Sequence, residues 1–398
     1  MHILFIAQYY PDKLLTEFIK QTKVGLDFAA HNLHKALFQG FLENQRMLDI
    51  LNAPHLGSFP PYYKTPFISS YESDDRHEIS LSYLNISYVK RWDIRRKLKK
   101  RITQWCKEHH GNKVVFYYNT PGLSLVPQLK KNFPDLKACL LVTDLPEYMV
   151  ANHSMLTRVN SLVSKLFGGE KKHYGKADGY ILLAPAMRER LPIGNKPWIH
   201  IEGIFNPEGM EAEYPKKTKA QKVILYMGNI SHRYGIINLL DAFALIKSPD
   251  YRLWIRGDGN TLEEIRRRMA NDPRIVYFDK MSKQELVALQ RRATILINPV
   301  FSGEEFTRYF FPSKTMEYLA SGTPTVMAHL ACMPKEYDPY IYYFDEESVE
   351  GIRDKIVEVC EKSQEELDVF GAKAAKFIMR EKTPKPQVAR VIDFLKGL

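Results

Sequence analysis

Short apolar runs rich in Val, Ile, Leu and Tyr recur along the whole chain, separated by stretches with helical spacing. In the first half they are His2–Ala7, Val114–Tyr118, Ala138–Thr143, Gly179–Leu183 and Trp198–Ile201. In the second half they are Lys222–Met227, Tyr251–Ile255, Ile275–Phe278, Ile295–Asn298 and Thr325–Met327. A run that is apolar at successive positions has no face to turn to water, so its strand needs cover on both sides. Such strands, separated by helices, build parallel sheets with a helical layer on each face. The expected class is α/β, with doubly wound, Rossmann-like sheets.

With 398 residues the chain exceeds what one core usually supports, and its 45% hydrophobic content suffices for two. The stretch NPEGMEAEYPKKTKAQ is polar, charged and broken by Pro and Gly, and a strand starts afresh at Lys222. This predicts two domains, 1–207 and 216–383, with ligands in the crevice where carboxyl strand ends face each other. Leu26–Gln39 reads as a helix stopped by Gly40. Thr261–Met269 reads as another, and Ser-Lys-Gln-Glu from Ser282 is a capping box for a helix through Gln290. Glu347–Lys362 and Gln364–Met379 form a helical pair.

Several classes are excluded or disfavoured. Cys106, Cys139, Cys332 and Cys360 are far apart and form no C-x-x-C pair, which argues against disulfides or a thiolate zinc site. MHILFIAQYYPDK lacks a basic leader and a cleavage site and reads as a first strand. No apolar run nears the ~20 residues that span a bilayer, so a cytoplasmic protein, soluble or peripheral at the inner face of the membrane, is expected. The formal charge of +11 favours an anionic partner. Asp-x-Asp, Walker A, H-E-x-x-H and G-x-S-x-G are all absent. His31 and His34 are three apart on the first helix, where a solvated face is expected in preference to a metal site.

The stretch RYFFPSKTMEYLASGTP carries the strongest chemistry. Ser313 caps a helix from about Lys314 to Ser321, and free N–H groups at such a start attract anions. Lys314 adds a full charge, Ser313 and Thr315 add hydroxyls, and Glu317, a turn on, suits paired ribose hydroxyls. An ordinary capped helix with a solvated Lys and Glu fits the same residues. In YMGNISHRYGIINLLDAF, Gly228-Asn229 forms a turn that lets a phosphate approach, and Arg233 suits bidentate phosphate contacts. Arg256 ends the strand in LWIRGDG, whose glycines are a weak dinucleotide signal. Asp144 follows a strand end in VTDLPEYM, placed to meet a substrate hydroxyl or to form a turn. Finally, residues 90–107 carry nine Lys or Arg and one Asp. Ile94, Leu98, Ile102 and Trp105 share one helical face there. This reads either as a membrane-surface helix with Arg95, Arg96, Lys99 and Lys100 toward lipid, or as a sheet-covering helix with a basic outer face.

In order, YMGNISHRYGIINLLDAF, LWIRGDG, RIVYFDKMSKQELVALQRRATILINP and YFFPSKTMEYLASGTPTV resemble glycosyltransferase family 4, of the GT-B fold. The chain looks most like members from bacterial capsule, exopolysaccharide and O-antigen assembly. The resemblance implies a nucleoside-diphosphate sugar donor on the C-terminal domain, a glycan or lipid-linked acceptor on the N-terminal one, and transfer with retention. It implies no cofactor and no metal, and UDP in preference to GDP. A last helix, 384–398, is implied to pack back on the N-terminal domain. Glu317 matches the second Glu of the family's Glu-x7-Glu pattern, but Tyr309 stands at the first and becomes the sugar-contact candidate. Asn229 and Tyr234 stand where members often carry Arg and Lys, so Arg233 and Lys314 are expected to hold the diphosphate. Gly228, Arg256, Met281, Ser313 and Thr315 complete the expected donor site. Asp144 follows Thr143, which replaces the family's His, and with Arg233 and Lys314 makes the expected catalytic set. A nucleotide-sugar epimerase, a phosphorylase of this fold, a non-catalytic sugar-nucleotide-binding subunit and a dinucleotide oxidoreductase are the alternatives. Nucleic acid is not an expected partner, because the basic segment is one helix without a recognition module.

Overall fold

The computed structural model describes residues 1–73, 77–87, 89–117, 119–145, 170–208 and 221–398. The chain divides into two compact units: Met1–Ile204 with Pro384–Leu398, and Phe205–Thr383. Pro146 and the residues after it in VTDLPEYM, and most of the polar stretch before Lys222, lie outside the described residues.

In the first unit the strands are β1 (Ile3–Ala7), β2 (Asp49–Asn52), β3 (Phe67–Ile68), β4 (Tyr71–Ser73), β5 (Glu78–Ser80), β6 (Tyr83–Leu84), β7 (Lys113–Tyr117), β8 (Lys137–Val142), β9 (Gly179–Leu182) and β10 (Trp198–His200). Eight of them form one sheet in the order β10-β9-β8-β7-β1-β2-β5-β4, and β3 and β6 pair separately. The large sheet is parallel except where β4 runs against β5. Its central strands are buried except for the half-buried Lys113 and Lys137 at the starts of β7 and β8, as strands covered on both faces must be.

Among the described residues the helices of this unit are α1 (Asp12–Gln21), α2 (Phe28–Glu43), α3 (Val89–Glu108) and α4 (Val126–Asn132), together with the C-terminal helix Pro384–Gly397. Two expectations fail on α2. Gly40 does not stop it, because the helix continues to Glu43. Its missing side chain instead admits the C-terminal helix: a Cβ there would lie 2.3 Å from Val388 Cγ2 and 2.5 Å from the Pro384 carbonyl oxygen. His31 and His34 are also not solvated. Both are buried, with His34 edge-on to Tyr117 and His31 stacked on Tyr10. Burial pushes the His31 pKa down and that of His34 down to about 4.

On α3, Ile94, Leu98, Ile102 and Trp105 all turn into the core. Trp105 Nε1 donates to Asp49 Oδ2 at 2.7 Å, which ties the helix to β2. Its apolar stripe is therefore consumed by the fold and is not a lipid-inserting face. Arg95, Arg96, Lys99 and Lys100 remain exposed on the outer side.

The second unit is built on β11 (Lys222–Met227), β12 (Tyr251–Arg256), β13 (Ile275–Phe278), β14 (Ile295–Asn298), β15 (Thr325–Met327) and β16 (Tyr342–Tyr343). They form a wholly parallel sheet in the order β13-β12-β11-β14-β15-β16. Its helices are α5 (Ile236–Leu245), α6 (Leu262–Asn271), α7 (Lys283–Arg292), α8 (Lys314–Ala320), α9 (Val349–Cys360) and α10 (Gln364–Glu381). The capping box at Ser282 is present: its hydroxyl accepts from the Glu285 N–H, and Glu285 accepts from the Ser282 N–H at 2.7 Å. All four cysteines are buried free thiols. This is the α/β architecture of doubly wound parallel sheets expected from the apolar runs.

Candidate functional site

The carboxyl ends of β11 and β12 meet through glycines. The Gly228 N–H donates to the Arg256 carbonyl at 3.0 Å, and a Cβ on Gly257 would lie 1.8 Å from the Gly228 oxygen. Gly228 itself has φ +146°, a conformation that side chains rarely tolerate. The loop after β11 then runs through a 3-10 turn, His232–Tyr234, to Gly235. A Cβ on Gly235 would lie 2.1 Å from the Pro299 carbonyl, so the loops after β11 and β14 also touch backbone to backbone.

These contacts leave a cavity of about 190 Å³ over the ends of β11 and β14. Gly228, Asn229, Tyr234, Asn298, Ser313 and Lys314 supply its polar and loop walls, and Phe306, Phe310, Val300 and Leu330 supply apolar ones. Lys314 is its charge. Its Nζ sits 4.4 Å from the centre of the Tyr226 ring and 3.4 Å from the Tyr226 hydroxyl oxygen. No carboxylate pairs with it among the described residues. Loss of hydration lowers its pKa to about 7, partly offset by the charge of Glu317. An ammonium held with so little compensation favours an incoming anion.

Arg233 lies with its guanidinium 4.1 Å from the centre of Phe306, a ring that lines the cavity. Ser313 also lines the cavity, but as a helical residue (φ −51°, ψ −32°) whose side chain makes no capping bond, contrary to the sequence reading. Thr315 departs further: it is buried, with its hydroxyl 3.9 Å from Met327 Sδ, and so faces the core. Tyr309 is buried too and does not line the cavity. Phe306 and Thr307, carried by the 3-10 turn Glu305–Arg308, do, as does Phe310 just after it.

Glu317 is solvent-accessible, yet surrounding protein raises its pKa, against the opposing charges of Lys283 and Lys314. Met281 packs beside Trp254, Phe278 and Leu286 on a buried cluster that includes Met227 and Tyr318. Arg256 faces Asp258 at 3.7 Å, and its Nε has no partner among the described residues. Asp144 belongs to the other unit, just past β8. Desolvation raises its pKa, and a hydrogen bond from Thr143 partly offsets this. The Thr143 hydroxyl also lies 3.1 Å from that of Tyr117.

Asn298, Phe306, Phe310 and Leu330 were not singled out from the sequence. For Asn298 there was a usable signal: it is the polar residue closing an otherwise apolar central strand. No group of three or more His, Cys, Asp or Glu suited to a metal occurs among the described residues.

Residues 221–362 match the family model described as glycosyl transferases group 1. No curated protein matches the chain by sequence. Among solved structures, sucrose-phosphate synthase from Thermosynechococcus elongatus is similar with a TM-score of 0.64 at 14% identity, over 100% of this chain and 99% of that one. The catalytic domain of starch synthase IV from Arabidopsis thaliana, bound to ADP and acarbose, gives 0.63 at 9% identity, over 100% and 99%. HepE of Anabaena in complex with UDP gives 0.60 at 11% identity, over 100% of both chains. At these identities the likeness is one of fold. The C-terminal unit thus resembles a glycosyl transferases group 1 domain, and the chain has the GT-B fold.

Proposed function

We propose that the protein transfers a sugar from a nucleoside-diphosphate sugar to a glycan or lipid-linked saccharide, with retention of configuration and without a metal ion or cofactor. The reading rests on one observation above all: the poorly compensated ammonium of Lys314 lies against a glycine-built wall within the residues matching glycosyl transferases group 1. UDP is the favoured nucleotide, supported by the Anabaena neighbour solved with UDP.

Breaking the bond between the sugar C1 and the diphosphate oxygen leaves negative charge on the phosphates. Lys314 and Arg233, helped by Ser313 and the backbone at Gly228 and Asn229, would stabilise it, each charged contact contributing ~2–4 kcal/mol to the transition state. The attacking hydroxyl gives its proton to the departing phosphate oxygen on the same face, so the configuration is kept. Glu317 takes the ribose hydroxyls, Met281 and Arg256 border the nucleoside, and Asp144 orients acceptor hydroxyls. A role in cell-surface polysaccharide synthesis is part of the proposal, as is docking at the inner membrane face through Arg95, Arg96, Lys99 and Lys100. Their exposure on α3 supports it. No described helix is long and apolar enough to cross a membrane.

The test is turnover of a panel of UDP- and GDP-sugars with and without saccharide acceptors. Lys314→Ala and Glu317→Ala should each lose roughly 100-fold or more in rate. Full activity in both variants sinks the site assignment. Sugar-nucleotide interconversion without an acceptor identifies an epimerase instead.

A further inference from the structure

Asn298 closes β14 in the middle of the second sheet, beside Met327 of β15. It is 1% exposed, and among the described residues neither its amide oxygen nor its amide nitrogen has a hydrogen-bond partner. A buried amide left unpaired is a cost that folding normally avoids. Leucine would fill much the same volume at the end of this apolar strand without that cost. Asn298 is among the residues lining the cavity that holds Lys314, with Phe306 and Phe310 among its other walls.

We infer that Asn298 is a specificity-determining residue that hydrogen-bonds the hydroxyls of the sugar being transferred. The inference rests on the proposed donor site and deepens it. A side-chain amide offers an acceptor oxygen and two N–H donors side by side. The ligand that matches it presents neighbouring donors and acceptors close to an anion, together with an apolar face for the aromatic wall. A pyranose joined to a diphosphate has all three: vicinal hydroxyls, a C–H face and the phosphates at C1. A bare nucleoside diphosphate satisfies Lys314 and leaves the amide unpaired. Asn298 therefore separates sugar-bearing donors from the nucleotide alone, and separates sugars by the direction of their hydroxyls. A site built around a substrate hydroxyl rejects analogues lacking it far more strongly than an apolar pocket rejects an extra methylene.

The experiment is calorimetric titration of wild type and Asn298→Leu with UDP, and with UDP-glucose, UDP-galactose and UDP-N-acetylglucosamine, alongside thermal unfolding of both unliganded proteins. The expected result has three parts. UDP affinity is unchanged within about twofold, affinity for the preferred UDP-sugar falls about 10- to 100-fold, and the unliganded variant unfolds at or above the wild-type temperature because two unpaired polar groups are gone. If Asn298→Leu binds every UDP-sugar as wild type does, Asn298 reads no hydroxyl and the inference is overturned. If the variant melts well below wild type and loses UDP and UDP-sugars alike, the amide is structural and the inference is again overturned. Asn298→Ala, which leaves space in place of bulk, must show the same selective loss of sugar affinity. A wild type that binds none of these ligands overturns the donor-site reading itself, and this inference with it.

Discussion

The charge of Lys314 should depend on pH in the range where proteins are ordinarily assayed, and donor binding should follow it. Dehydration brings its pKa from 10.5 to about 7. A bound diphosphate restores a counter-charge and raises the pKa again. Above pH 7 the free lysine is mostly neutral, so binding must take up a proton, and affinity falls as pH rises. If the bound-state pKa lies well above 9, the dissociation constant grows by (1 + 10²)/(1 + 1), about 50-fold, from pH 7 to pH 9. The window starts at pH 7 because a terminal phosphate itself titrates near pH 6. Lys314→Arg keeps its charge throughout and should flatten the profile. The assay is calorimetry with UDP at pH 7, 8 and 9 in two buffers of different ionisation enthalpy, which reads proton uptake directly. A wild-type constant that stays within threefold over that range, with no proton uptake, refutes the reasoning. Stability follows the same group. The unfolded lysine keeps its proton up to pH 10.5 and the folded one releases it above about 7, so the unfolded state binds more protons in between. Stability therefore rises with pH across that window. Lys314→Met cannot be charged. At pH 6 it should gain about 2 kcal/mol after allowance for partial solvent access, a rise of roughly 4–8 °C for a unit of this size.

Two predictions concern the first unit. Gly40→Ala sets a methyl 2.3 Å from Val388 Cγ2 and 2.5 Å from the Pro384 carbonyl. It should cost about 1–3 kcal/mol in chemical denaturation, and wild-type stability would show that the C-terminal helix does not rest there. His34 has a folded pKa of about 4 against 6.5 unfolded. The unfolded state therefore binds more protons between those values, and ~3 kcal/mol is lost as pH falls from 6.5 to 4. Thermal unfolding of His34→Leu should lack that acid limb.

How much of this was legible in the sequence varied with the physics of each element. The second sheet was, because Val223–Met227 and Ile295–Ile297 are apolar at successive positions and only double-sided burial explains that. Strands β2 to β6 were not. They are two to four residues long and carry charged residues such as Asp49 and Glu78, and the partner of Asp49 comes from distant chain: it accepts from Trp105, 56 residues on. His31 and His34 were misjudged because α2 is apolar around most of its circumference, so spacing alone does not say which face is covered. Tyr309 was misjudged for a related reason. Matching a family's spacing fixes a position along the chain, while the 3-10 turn at Glu305–Arg308 decides which side chains reach the cavity.

What ties the site together is backbone contact, which sequence shows only as glycine. A Cβ on Gly257 would strike the Gly228 carbonyl at 1.8 Å, so β12 holds the turn after β11 in place. That turn in turn confines Lys314, since a Cβ on Gly228 would lie 2.9 Å from its Nζ. Tyr226, on the strand feeding the same turn, supplies the ring 4.4 Å from that ammonium. The charge is thus positioned by the ends of two strands and one ring, with no carboxylate among the described residues to hold it. A salt bridge would fix the lysine equally well, but it would also return the pKa to its ordinary value and spend the ammonium on the protein. Glycine against glycine leaves it for a ligand.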